Sequence, residues 1–383
     1  VNSRTSAIST AIRHQLSNDV WDIQLEVGRG FRCSIRHRES GTLLADGPYD
    51  YSFGTPDLTL HVISDEAIVL EGVTSRGIGV HHRISLSSAG WLEEQITLTN
   101  TTSFPFDLSG TRCGFTRQAN GHDDADTFTA IPFRREPAGV TGEYMDFTLR
   151  DVLETEATSR LWDRVSFWTT PTLVTPAFAS EGWYWRTGDS GFVISKYSPV
   201  GMEWSQLDRT GLRGGQLALR WGGVGFHHGQ PERAAALAPG ASHAWGATRL
   251  TPAPGGLESA FYTFRQDRES RGHGCPVDFD PPVHWNELYD NKLYTLPGGK
   301  QDDPASRALY YTLADMQQEA AKGRDFSCEA LYLDPGWDTN FASKIWDSER
   351  LGEAADFIEM IGADYGLKVS LHTPMAGWCN PTT

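Results

Sequence analysis

What this chain of 383 residues lacks narrows its function first. It has five cysteines, Cys33, Cys113, Cys275, Cys328 and Cys379, and no two form a C-x-x-C pair. A zinc site of ordinary spacing is therefore not expected, and these cysteines read mainly as buried thiols, with one long-range disulfide left open. No apolar run approaches the ~18 residues of a membrane helix. Positive charge is also short: 33 basic residues stand against 49 acidic ones, a net charge of -16. That balance argues against nucleic acid and anionic membrane surfaces as partners. The Gly-rich phosphate loop between strand and helix and the G-x-S-x-G elbow are missing too, so neither a nucleotide nor a serine hydrolase is implied. No metal or cofactor is expected. The first residue is Val1, and no basic-then-apolar leader is visible, which leaves the compartment open.

What the chain has in quantity is tryptophan, thirteen in all. Trp162, Trp168, Trp183, Trp185, Trp204 and Trp221 fall in strand-like or loop contexts. Such rings either stack on the C–H faces of sugars or fill a sandwich core. The length suits two domains, and the 39% hydrophobic content suits a globular chain.

The first two thirds alternate apolar and polar residues. Val20-Trp21-Asp22-Ile23-Gln24-Leu25-Glu26-Val27 is the cleanest case, and 32–38, 58–63, 67–73, 81–86 and 92–98 repeat it. Turn-rich breaks separate them, which predicts an antiparallel sandwich or barrel. Residues 1–15 read as a short helix or a frayed end. Residues 120–126 form an acidic loop without the spacing of an EF-hand. Strands return at 192–196, 216–221 and 243–250. The adjacent pairs His81-His82 and His227-His228 would point to opposite faces of a strand, so neither chelates one metal easily. Residues 257–270 follow a helical pattern with Leu257, Phe261 and Phe264 on one side, and 271–282, rich in Gly and Pro, reads as a linker.

The last hundred residues change grammar. A short strand at 282–286 precedes a helix capped by Asp303 with Pro304 at its first position, running to Gly323 with Leu309, Leu313, Met316 and Ala320 inward. Ala330-Leu331-Tyr332-Leu333 is a buried strand ending on Asp334, followed by Pro335-Gly336-Trp337-Asp338. A helix over 349–365 (Leu351, Ala354, Ala355, Ile358 and Ile361 inward) ends at Gly366, and a third strand covers 367–371. This β-α-β-α-β order predicts parallel strands with helical crossovers. Functional groups then collect beyond the strand ends: Trp285 and Asn286, Asp334 and Trp337, and His372. Carboxylate, amide and imidazole beside indole suit a sugar. Asp334 and Asp338 are four apart, but Pro335-Gly336 makes a turn, so they do not share a helical face; Asp338 is expected to cap the following segment.

Three stretches together resemble the clan D α-glycoside hydrolases, the α-galactosidase group of family 36 and relatives. Pro282-Val283-His284-Trp285-Asn286 is similar to that group's first barrel strand. Leu333-Asp334-Pro335-Gly336-Trp337 is similar to its Asp-Asp-Gly-Trp at the end of strand two, with Pro335 where the family has a second acid. Gly366-Leu367-Lys368-Val369-Ser370-Leu371 is similar to its third strand, although His372-Thr373-Pro374 stands where the family often shows Trp and then acids.

The resemblance implies an N-terminal antiparallel β-sandwich (1–256), a helical linker (257–281) and the first part of a TIM (β/α)₈ barrel (282–383), incomplete here. It implies a retaining hydrolase of terminal α-linked sugars, with Asp334 holding sugar hydroxyls, Trp337 walling the pocket, and Trp285, Asn286 and His372 nearby. It places the two catalytic carboxylates on later strands, so no catalytic residue is assigned within 1–383, and the chain is expected to be a fragment. The departures are compatible with another α-linked sugar or with lost activity. Two alternatives stay open, a transglycosylase of the superfamily and a non-catalytic carbohydrate-binding protein. The expected partner is a carbohydrate, and a homo-oligomer is compatible with this reading.

Overall fold

A computed structural model describes residues 11–108, 111–119, 125–131, 146–154, 158–160, 174–176, 178–199, 203, 205–211, 215–223, 236–295, 303–340 and 343–373. The chain divides into two compact units, the first ending at Gly274 and the second starting at Cys275.

The first unit is built from antiparallel strands. Four of them, β1 (Ile12–Ser17), β2 (Trp21–Gly28), β3 (Gly30–His37) and β4 (Leu43–Pro48), form a sheet in chain order. The expected helix or frayed end over 1–15 is corrected where the structure describes it. All six residues of Ile12–Ser17 pair with β2, from Ile12↔Val27 to Ser17↔Asp22, because β2 has an open edge. A larger sheet carries β5 (Pro56–Ser64), β6 (Ala67–Thr74), β7 (Ile78–Leu86) and β8 (Leu92–Asn100), joined by adjacent antiparallel pairing. It continues through β9 (Asp126–Ile131), β10 (Gly182–Thr187), β11 (Ser190–Tyr197) and β12 (Ala247–Pro252), with β12 pairing both β8 and β11.

The strand expected over 243–250 is broken. Ser242–Ala244 and β12 flank Gly246, whose added Cβ would lie 1.9 Å from the Tyr197 carbonyl oxygen. Only glycine permits that approach. Residues 120–124 of the acidic loop lie outside the described residues, as do Trp162, Trp168, Trp204 and the His227-His228 pair. Asp126 is in β9, fully buried and 3.0 Å from Arg117.

Four of the tryptophans that the structure describes in this unit answer the stacking question for themselves. Trp21, Trp183, Trp185 and Trp221 are among the largest fully buried side chains of the core. Their indole N–H groups are used inward, for example Trp221 to the Leu44 carbonyl at 2.7 Å and Trp185 to Asp126 at 3.1 Å. They are packing residues. His81 and His82 point to opposite faces as alternation requires: His82 is buried at 3.1 Å from Glu94, and His81 lies 3.7 Å from Glu71 at the surface. The described cysteines, Cys33, Cys113, Cys275 and Cys328, are free thiols.

Helix α1 (Gly256–Arg268) closes the unit, packing Ala260 and Phe264 against Ile131, Tyr184 and Val193. Its Phe264 ring fits because residue 182 is glycine; a Cβ there would come within 2.8 Å of the ring. Phe261, expected inward, is partly exposed.

In the second unit, β13 (His284–Asn286), β14 (Ala330–Leu333) and β15 (Lys368–Leu371) form a parallel sheet in chain order. Its connections are helical, as the chain order required. The single helix expected from 304 to 323 is two: α2 (Pro304–Tyr310) and α3 (Leu313–Asp325). Asp303 caps α2 with Pro304 in its first turn, as expected. The break comes from a capping box in which Thr312 and Asp315 satisfy each other's backbone N–H groups, with α2 ending at Tyr311 and Thr312 in an extended conformation. The change of phase leaves Leu309 exposed.

The helix expected over 349–365 is likewise split into α4 (Ser348–Leu351) and α5 (Ala354–Tyr365) at Gly352, whose φ is 73°. Phe357 and Ile361 are buried from α5, and Ile358 is exposed. Gly366, left-handed at φ 72°, ends α5 as expected.

Candidate functional site

Strand alternation sorts the parallel sheet into two faces. Trp285, Leu331, Leu333 and Val369 share the face covered by α3 and α5, in one core with Met316, Ala320, Phe357 and Ile361. The other face carries His284, Asn286, Tyr332 and Ser370, and is polar. His284 lies 2.9 Å from the Ser370 hydroxyl, and its ring meets Tyr332 edge-on at 5.5 Å.

At the carboxyl ends of the strands this polar face converges on Asp334. Asn286 Nδ2 donates to Asp334 Oδ2 at 3.1 Å, while Asn286 Oδ1 accepts from the Leu288 amide. His372 Nδ1 lies 3.6 Å from Asp334 Oδ1 and 3.1 Å from the Tyr332 hydroxyl. His372 is fixed by its backbone as well: its amide donates to Leu333 O, and its carbonyl accepts from Trp337 Nε1 at 3.0 Å. Burial pushes the Asp334 carboxyl above the usual carboxylate range, and the Asn286 donor and His372 oppose that rise. Of the five residues the sequence pointed to, three (Asn286, Asp334 and His372) meet.

The other two sit elsewhere. Trp337 is buried behind His372, with its ring 6.2 Å from Trp346. Trp285 is directed to the opposite face. It donates to Glu319 of α3 at 2.9 Å and stacks on Phe326 at 5.3 Å, because residue 285 is one step out of phase with Asn286. Asp338 turns away from Asp334. It accepts from the Lys344 amide at 3.3 Å and lies 3.9 Å from Arg307, which agrees with its expected role in holding the segment that follows.

A second layer holds the loop from Asp334 to Thr339 by its carbonyl groups. The Tyr311 hydroxyl lies 3.2 Å from Asp334 O, and the Tyr294 hydroxyl donates to Pro335 O. Arg350 donates to Gly336 O at 2.7 Å, the Asp347 amide to Trp337 O, and Arg307 to Asp338 O and Thr339 O at 2.8 and 3.0 Å. Glu287 completes this layer. Fully buried, it accepts from the Asp334 amide and from Tyr311, each at 2.7 Å.

None of Glu287, Tyr294, Tyr311, Arg307 or Arg350 stood out in the sequence. The available signal was position: Glu287 directly follows Asn286 at a strand end, and Tyr311 directly precedes a capping Thr. Among the described residues no group of three or more His, Cys, Asp or Glu side chains could hold a metal, and no helix is long and apolar enough to cross a membrane.

No family model matches the sequence, and no curated protein matches it at the sequence level. Solved structures do match. The GH36 α-galactosidase AgaB from Geobacillus stearothermophilus aligns with a TM-score of 0.57 at 12% identity, over 94% of this chain and 55% of that one. A variant of AgaA from the same organism, in complex with 1-deoxygalactonojirimycin, aligns at 0.56 and 11%, over 94% and 56%. The α-galactosidase from Lactobacillus brevis aligns at 0.52 and 11%, over 95% and 55%. This chain thus spans little more than half the length of the enzymes it matches. At this identity the likeness is one of fold: over most of its length the chain is similar to the corresponding part of the GH36 α-galactosidases.

Proposed function

We propose that this chain is the sandwich and first barrel strands of a retaining glycoside hydrolase acting on terminal α-linked sugars. In this reading Asp334 holds hydroxyl groups of the sugar, with Asn286 and His372 as its neighbours in the site and Trp337 bracing His372. The observation that carries it is the convergence of these polar side chains at the carboxyl ends of three parallel strands, on the face away from the helices. A carboxylate with an amide donor on one oxygen and an imidazole near the other is a hydroxyl-binding arrangement. The nucleophile and the acid/base belong, in this proposal, to later strands of a (β/α)₈ barrel, as the family resemblance implies.

Calorimetric titration of 1-deoxygalactonojirimycin and of its gluco-configured counterpart into the natural full-length protein tests the proposal. Asp334→Ala is expected to weaken whichever one binds by more than ~1.5 kcal/mol, since a charged hydrogen-bond partner is removed. Unchanged affinity, or no binding of either compound by the wild type, would sink the sugar-holding role. Residues 1–383 expressed alone are expected to show no turnover of aryl α-glycosides; clear turnover would overturn the placement of the catalytic carboxylates. A carbohydrate-binding protein without catalysis is the second reading, favoured by Pro335 standing where the family has its second acid. Sugar binding by a full-length protein that turns over no α-glycoside would select it.

A further inference from the structure

Glu287 is a carboxyl group without a cation. It is completely buried, and among the described residues no Lys, Arg or His pairs with it. Lys322 and Arg307 are committed elsewhere: Lys322 to Glu319 and Asp290, Arg307 to the carbonyls of the loop. Glu287 Oε1 accepts from the Asp334 amide and the Tyr311 hydroxyl, and Oε2 makes no hydrogen bond. The titratable groups that bear on it are Asp334 beyond β14, Tyr332 of β14, Glu319 of α3, Tyr311 between α2 and α3, and Tyr294 of the short helix Lys292–Thr295. A buried acid facing two other acids is costly to keep unless its position does something.

We propose that Glu287 is a positioning residue for Asp334: its carboxyl fixes the Asp334 amide, and so sets the direction in which the Asp334 side chain is offered to a sugar. The assignment rests on the sugar-holding role of Asp334 for its functional meaning, and on the hydrogen bond alone for its structural one. Burial, with Asp334 and Glu319 nearby, pushes the Glu287 carboxyl up to about 8, against the pull of Tyr311 and the Asp334 amide. Ionisation converts the amide contact into a charge-assisted one, which tightens the hold on Asp334.

The test uses the natural full-length protein, deuterated and labelled with ¹⁵N-aspartate, with the Asp334 amide assigned by its loss in Asp334→Asn. Between about pH 6 and pH 10 the Asp334 amide proton is expected to move downfield with a midpoint near that of Glu287. The movement should vanish in Glu287→Gln, which keeps an acceptor at Oε1 but cannot ionise. In Tyr311→Phe the midpoint should rise, because a donor to the ionised form is gone.

Affinity for 1-deoxygalactonojirimycin is expected to stay within about threefold in Glu287→Gln and to fall about tenfold or more in Glu287→Leu, which has no acceptor. An Asp334 amide insensitive to pH in the wild type, or titrating identically in Glu287→Gln, would overturn the assignment, whether or not Glu287→Leu folds. If the wild type binds no sugar, the glycosidase reading fails, and the amide titration still decides the role of Glu287.

Discussion

At the scale of single residues, Asp334 is the group proposed to meet a ligand, and Glu287 is the buried acid whose protonation is coupled to folding. An ordinary glutamate titrates near 4.5, and Glu287 in the folded chain near 8. Between those values the native state holds a proton that the unfolded chain releases. The contribution to stability is therefore complete below about pH 4.5 and is lost as pH rises through about 8. Thermal unfolding of the wild type is expected to shift to lower temperature from about pH 5 to pH 9, and Glu287→Gln should remove most of the slope. A wild-type midpoint that rises over that window would contradict the assignment. Asp334, Asn286 and His372 were legible because each falls at the end of a strand that the sequence marks by its apolar run. Glu287 was not, because an acid after a strand reads as solvated unless the tyrosine that buries it can be seen. The tryptophans show the converse: their number suggested sugar stacking, and for Trp21, Trp183, Trp185 and Trp221 the two-residue period of the strands took them into the core instead.

At the scale of elements, the helical periods of the second unit were readable and their interruptions were not. Hydrophobic spacing runs unbroken through Tyr311 and Gly352, yet a capping box at Thr312 and a left-handed glycine at 352 each end one helix and begin another. These breaks matter for the site: Tyr311, freed from the helix, reaches Glu287 and Asp334. The loop after β14 depends on Gly336 for the same contact. Its φ is 149°, and an added Cβ would lie 2.9 Å from the Tyr311 ring. Gly336→Ala is expected to destabilise the protein by ~1–3 kcal/mol, through strain and overpacking together. Urea unfolding followed by tryptophan fluorescence measures this, and a variant as stable as the wild type would show that the loop has room to move.

At the scale of the whole molecule, the chain divides into two compact units, each with its own main core. The alternation of strands marked the first and the β-α-β-α-β order the second. Strand order in the large sheet was not legible, since partners such as β8 and β12 lie some 150 residues apart and meet only through tertiary packing. The helix assigned to a linker belongs to the first unit by its packing on Ile131, Tyr184 and Val193. The exposed stretch from Cys275 to Pro281 follows it. Limited proteolysis is expected to cut there first, at Val277 or Phe279, and to leave two folded pieces. Initial cleavage within either core would contradict the division. The clamped loop carries a thermodynamic consequence for ligand capture. Each carbonyl from Pro335 to Thr339 already has a donor. Under the proposed function, a sugar arriving at Asp334 would meet a backbone with little conformational freedom left to lose, the entropy of ordering the loop having been spent in folding rather than in binding.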